Sequence, residues 1–81
     1  MNYNHDLWIG AFRYYLGCTS YAVDNFCQLL VREWPNLDRQ VQYCIEKELE
    51  YAWVNEQNTQ FGMQCDIDSW QKVRKLYLKE Q

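Results

Sequence analysis

Residues 38–57 read DRQVQYCIEKELEYAWVNEQ and decide the fold class. Asp38 is a suitable N-cap, because its carboxylate can accept a hydrogen bond from a free backbone N–H of the first helical turn. Apolar side chains then recur every three or four residues, which is the spacing of one face of an α-helix. The stretch therefore predicts a long amphipathic helix, whose buried stripe consists of Val41, Cys44, Ile45, Leu49, Ala52 and Trp53.

Three further segments carry the same periodicity and are separated by residues that end helices. Gly17 follows the first segment, and glycine is common just beyond a helix because it adopts the left-handed conformation without strain. Pro35 follows the second segment, where it disfavours the helical conformation of the residue before it. The predicted helices span about 4–16, 20–34 and 38–57, with a fourth that begins at Asp66 or Asp68 after a polar loop at 58–67.

The size and composition of the chain fit one small helical domain. Of its 81 residues, 48% are hydrophobic and 17% aromatic, which supplies the large side chains that a small core needs. No long alternation of polar and apolar residues indicates a β-sheet. We therefore expect one all-α domain over residues 1–81, a compact bundle of about four helices. Trp34, Trp53 and Trp70 fall on the apolar stripes of different helices, and we expect them to be buried close together.

Charge and hydropathy argue against two classes of protein. The formal net charge is −3, whereas a nucleic-acid-binding protein generally carries a basic patch. Direct nucleic-acid binding is therefore not expected. No apolar stretch approaches the roughly 20 residues of a membrane span, and residues 1–6 do not resemble the start of a signal peptide. We expect a cytoplasmic protein that does not contact membranes.

The cysteines and the single histidine form no recognisable metal or catalytic motif. Cys18, Cys27, Cys44 and Cys65 are separated by 9, 17 and 21 positions, whereas zinc ligands usually come in pairs two to four residues apart. His5 is the only histidine, so a general base beside a nucleophile is not evident. We expect free, mostly buried thiols, no metal, no cofactor, no catalytic residue and no enzymatic activity.

The outward face of the third helix is the candidate binding site. Tyr43, Glu46 and Glu50 lie within about 60° of one another on a helical wheel and point away from the apolar stripe. They would form a narrow acidic strip with an aromatic side chain at one end, suited to a basic partner surface. Lys47 interrupts the strip, and a merely solvated helix face would show the same pattern.

Two charged features lie outside this strip. Glu48 falls inside the apolar stripe of the third helix, and we expect it either to bend out to water or to meet an arginine such as Arg13. The C-terminal eleven residues are basic, which leaves a nucleic-acid-binding fourth helix as an alternative function. Its cations are Lys72, Arg74, Lys75 and Lys79.

Several short stretches resemble small, uncharacterised proteins of bacteriophages and prophages. The stretches are 12–17 (FRYYLG), 19–23 (TSYAV) with Phe26, and 61–66 (FGMQCD) leading to Trp70, with Trp34 and Leu37 between them. The resemblance covers nearly the whole chain. Its motifs are structural, so no functional residue is carried over from these relatives.

The resemblance implies a function as well as an origin. Small acidic phage proteins without catalytic residues commonly bind a host protein, and anti-CRISPR proteins have this profile. The implied function is steric inhibition of a host defence system, in which the acidic face covers a basic nucleic-acid-binding surface of a defence effector in the host cytoplasm. The alternative is a regulatory or structural interaction protein of the phage itself, which could form a homo-oligomer.

Overall fold

A computed structural model describes residues 3–18, 21–56 and 64–78. They form four helices: α1 (Tyr3–Leu16), α2 (Tyr21–Glu33), α3 (Arg39–Glu56) and α4 (Gln64–Leu78), with a short 3₁₀ turn (Trp34–Asn36) between α2 and α3. The all-α fold and the four helices are confirmed. None of the helices in these ranges is long and apolar enough to cross a membrane.

Two close helix pairs build the core, with α2 against α4 and α1 against α3. Each helix contributes apolar side chains at three- and four-residue spacing, as the sequence predicts. Trp70 of α4 is completely buried, and its ring contacts Phe12 of α1 and Phe26 of α2. The buried apolar residues are Phe12, Leu16, Val23, Phe26, Cys27, Leu30, Val41, Ile45, Leu49, Ala52, Trp70, Val73 and Tyr77.

Aromatic rings connect the buried centre to the surface. The Trp70 ring meets Phe12 edge-on at 5.7 Å between centroids and lies tilted against Phe26 at 6.2 Å. Phe26 in turn stacks on Tyr15 at 4.8 Å and contacts Trp8 at 6.1 Å. Such edge-on and offset contacts stabilise a fold beyond the area they bury, so α1, α2 and α4 are held by one continuous set of rings.

The prediction that three tryptophans are buried together is wrong for two of them. Trp34 and Trp53 are only partly buried. Helix α2 ends at Glu33, so Trp34 falls in the 3₁₀ turn, where its ring lies against Tyr77 at 6.4 Å. Trp53 lies beneath the guanidinium group of Arg74.

The connection between α2 and α3 is fixed by hydrogen bonds to one carbonyl. The Trp34 oxygen accepts from the backbone N–H of Leu37 at 3.1 Å and from the Gln42 side-chain amide at 2.7 Å. Asp38 then caps α3, as predicted, because its Oδ1 accepts from the backbone N–H of Gln40 at 3.1 Å.

Helix α4 begins at Gln64, before the predicted start at Asp66 or Asp68, so the predicted loop is wrong over residues 64–67. The remainder of that loop, and the last residue of the predicted third helix, lie outside the described residues. Asp66 is buried in the first turn of α4, where the helix dipole favours a negative charge. The Ser69 hydroxyl, one turn later, lies 2.9 Å from Oδ1 of Asp24 on α2. A polar contact thus joins α2 to α4 within the first two turns of α4.

Candidate protein interface

The outward face of α3 carries large side chains that are exposed to solvent. Tyr43, Tyr51 and Val54 are exposed by 54%, 68% and 61%. Together with Lys47 they occupy about 80° of the helical wheel. We call these four residues the α3 ridge. The Lys47 ammonium lies 5.6 Å from the centre of the Tyr43 ring, close enough for a cation–π contact.

Shallow grooves flank the α3 ridge on both sides. Tyr51 and Lys47 border both of them. One groove reaches Tyr77 and Leu78 of α4, and the other reaches Leu16 of α1. The ridge therefore stands between two depressions into which side chains of another protein could fit.

The predicted site residues do not behave as one acidic strip. Tyr43 is exposed as expected, but Glu46 is paired within its own helix: its Oε1 accepts a hydrogen bond from Arg39 Nη1 at 2.9 Å. The two residues lie seven positions apart, two turns along the same side of α3. Glu46 is thus already paired with a cation of its own helix.

Glu50 points toward α4 rather than away from the fold. Its carboxylate accepts hydrogen bonds from Nε of Arg74 at 2.8 Å, from Nη2 of the same arginine, and from the Tyr77 hydroxyl at 2.6 Å. The hydrogen bonds from Arg74 are the main reason that the pKa of Glu50 lies below its usual value. Burial raises the pKa of Tyr77. Glu50 is therefore only partly exposed to solvent. The helical wheel did not indicate this, because it does not show which neighbouring helix lies beside a residue.

Arg74 has a second contact on the same side of α3. Its guanidinium carbon lies 4.4 Å from the centre of the Trp53 ring, and its side chain is only 13% exposed. We call Glu50, Trp53, Arg74 and Tyr77 the α3–α4 clamp. Sequence reasoning missed it, although an arginine among the apolar positions of α4 was a signal that it needed a partner.

On the opposite flank of α3, Glu48 meets Arg13 of α1, and this predicted pair is confirmed. Arg13 donates from Nε at 3.0 Å and from Nη2 at 2.6 Å. The Cys44 thiol donates to Glu48 Oε2 at 3.0 Å. The hydrogen bond from Arg13 lowers the pKa of Glu48, while burial raises the pKa of Cys44. Both pairs therefore tie α3 to a neighbouring helix.

A second apolar surface lies between α1 and α2. An open groove of about 400 Å³ is lined by Leu7, Trp8, Ala11, Tyr15, Phe26 and Leu29. We call it the α1–α2 groove. The helical spacing of Leu7, Trp8, Ala11, Phe12 and Tyr15 predicts one buried stripe on α1, yet Leu7 is 68% exposed. The stripe of α1 is wider than the surface that the other helices cover, so its edge stays open.

The basic residues of α4 and the cysteines are weaker candidates for a functional site. Lys72 and Lys75 of α4 are exposed, but Arg74 is held in the clamp and Lys79 lies outside the described residues. All four cysteines are free, as predicted, although only Cys27 is fully buried. Within residues 3–18, 21–56 and 64–78, no group of three or more His, Cys, Asp or Glu side chains could hold a metal ion.

Compared with known proteins, the chain matches no family model, no curated protein and no solved structure.

Proposed function

We propose that this chain is a protein-binding domain that acts by covering a surface of another protein, with the α3 ridge as its contact. The observation that carries the proposal is the exposure of Tyr43, Tyr51 and Val54 on one face of a long helix. Tyrosine is enriched among the residues that dominate protein–protein binding energies. A tyrosine buries a large ring and loses little conformational freedom when it does so.

The frame behind the ridge favours this role. Helix α3 is tied to α1 through Arg13 and Glu48 and to α4 through the α3–α4 clamp. A ridge held from both sides presents its side chains in a fixed arrangement, which lowers the entropy lost on binding.

The resemblance to phage proteins supports a more specific partner. On that basis the chain inhibits a host defence system in the manner of anti-CRISPR proteins, by covering a nucleic-acid-binding surface of a defence effector in the host cytoplasm. The net charge of −3 would speed the approach to a basic surface. Because Glu46 and Glu50 are paired with Arg39 and Arg74, the contact itself rests on aromatic and apolar area.

The first test compares capture of a partner by three forms of the chain. The wild type, the double variant Tyr43→Ala/Tyr51→Ala and the control Tyr21→Ala are immobilised and exposed to host lysate. Tyr21 is a suitable control because it is 84% exposed on the solvent side of α2. The double variant should bind the recovered protein at least tenfold more weakly, about 1.4 kcal/mol, with an unchanged helical spectrum. Equal loss in the control, or no loss in the double variant, would contradict the role of the ridge.

The second test addresses occlusion. The recovered protein is loaded with labelled nucleic acid, and the wild-type chain is added. Displacement that the double variant fails to produce supports occlusion. If the partner keeps its nucleic acid while it binds the chain, the inhibition proposal is wrong and a plain interaction protein remains. Binding of labelled DNA to the chain alone, weakened by salt, would instead favour the basic α4 alternative.

A further inference from the structure

The middle of α3 is acidic in sequence, but its acids are already paired. Residues 46–50 read EKELE, and each of the three glutamates meets an arginine of the same chain. The pairs are Glu46 with Arg39, Glu48 with Arg13 and Glu50 with Arg74. Each pair is neutral overall, so the charge left over in this stretch is the positive charge of Lys47. None of the ion pairs within residues 3–18, 21–56 and 64–78 includes Lys47.

Lys47 stands at the centre of the α3 ridge. Tyr43 lies one turn before it and Tyr51 one turn after it, and all three residues are exposed. The Lys47 ammonium lies 5.6 Å from the centre of the Tyr43 ring, and its side chain borders the grooves on both sides of the ridge. A protein that covers both tyrosines therefore also covers Lys47.

A covered ammonium group needs a counter-charge. Its removal from water costs free energy unless it meets an acceptor, best of all one of opposite charge, and lysine is accordingly depleted in protein interfaces. The contact with the Tyr43 ring offsets only a small part of this cost. We propose, on the basis of the function proposed for the ridge, that its partner presents a carboxylate to Lys47. This carboxylate belongs to an aspartate or glutamate set among apolar side chains that contact Tyr43, Tyr51 and Val54.

A carboxylate at this position changes which part of the partner can be basic. The net charge of −3 still favours approach to a basic surface at long range. Directly beneath the ridge, however, a cation of the partner would meet Lys47 beside glutamates that are already paired. Like charges placed together select against such a partner. The ridge therefore favours a surface whose basic residues surround an acidic one.

Selection from a displayed library of random peptides tests the inference without knowledge of the natural partner. Peptides are selected on the wild-type chain and kept if Tyr43→Ala/Tyr51→Ala binds them at least about tenfold more weakly, so that only ridge binders remain. We expect these peptides to be enriched in aspartate and glutamate, together with apolar residues, relative to the starting library. The net charge of −3 by itself predicts the opposite, an enrichment in lysine and arginine.

Variants of Lys47 then identify the group that the acidic residue contacts. Lys47→Met keeps an apolar stem without the charge and should bind the selected peptides at least about tenfold more weakly, whereas Lys47→Arg should keep most of the affinity. The control Lys75→Met removes an exposed lysine of α4 instead and should leave the affinity unchanged. Lys47→Glu should abolish binding, and a lysine in place of the acidic residue of the peptide should restore it. A purely structural role of Lys47 would not produce this rescue.

The possible outcomes separate the inference from the function on which it rests. Ridge binders without acidic enrichment would overturn the inference and leave the ridge as a contact surface. The same holds for acidic peptides that bind Lys47→Met as tightly as the wild type, or that Lys75→Met weakens equally. A selection that yields no peptide dependent on Tyr43 and Tyr51 would contradict the ridge itself, and the inference would fall with it.

Discussion

Helix α3 is joined to its two neighbours by the same chemistry in different surroundings. Toward α1, Glu48 accepts hydrogen bonds from Arg13, whose side chain is 61% exposed. Toward α4, Glu50 accepts from Arg74, whose side chain is 13% exposed and lies over an indole ring. Water screens the first pair and competes for its hydrogen bonds, whereas the second is shielded on the arginine side. The two Glu–Arg pairs should therefore differ in how much they stabilise the fold.

Disruption of the hydrophobic core should lower the free energy of unfolding more than any other change. The losses at the two Glu–Arg pairs of α3 can be compared with it. Trp70→Ala should lower the free energy of unfolding by about 3–5 kcal/mol, because it leaves a cavity beside Phe12 and Phe26. Denaturant titration followed by circular dichroism measures the loss. If the alanine variant does not fold at all, Trp70→Phe should fold with a smaller loss. A wild-type midpoint for Trp70→Ala would show that the core is centred elsewhere.

The comparison between the two flanks is tested by removing each carboxylate. Glu50→Ala should cost about 1–3 kcal/mol, because the shielded Arg74 and the Tyr77 hydroxyl lose their acceptor. Glu48→Ala is the matched variant and should cost less, since Arg13 can turn to water. Double-mutant cycles with Arg74→Ala and Arg13→Ala should give the larger coupling on the α4 side. Equal couplings would mean that shielding is unimportant here.

Acid should weaken both flanks. The folded state lowers the pKa of Glu48 and of Glu50 from an ordinary value of about 4.5. The stability that each carboxylate contributes is therefore complete above that pH and is lost as the pH falls through the lowered value. Thermal unfolding between pH 7 and 2 should show this loss. Glu50→Gln should remove more of the pH dependence than Glu48→Gln, and the reverse order would contradict the comparison.

The smallest loss of stability is expected at Glu46, one turn before Glu50. Glu46→Ala removes only the pair with Arg39 on the same helix, and such pairs contribute no more than about 1 kcal/mol. The denaturant midpoint should barely move. A loss as large as that of Glu50→Ala would mean that Glu46 has a structural role that its distances do not reveal.

These residues also show what periodicity predicts and where it stops. The apolar stripe of α3 predicted the helix, its buried face and the unusual position of Glu48, because those features depend on the sequence of this helix alone. The helical wheel placed Glu50 on the same outward face as Tyr43, because it contains no information about where α4 packs. For the same reason Leu7 was placed in the core: the sequence shows how wide a stripe is, but not how much of it the other helices cover.

The rings that fill this core also make the protein its own optical reporter. Seven tyrosines and four tryptophans share a molecule whose radius of gyration is 11.9 Å, whereas an unfolded chain of this length would measure about 28 Å. Excitation passes from tyrosine to tryptophan by dipole coupling, which weakens steeply with distance. The fluorescence of the folded protein should therefore come from tryptophan. Tyrosine fluorescence should reappear as the chain unfolds. The ratio of the two bands follows folding on the wild-type chain without any attached label.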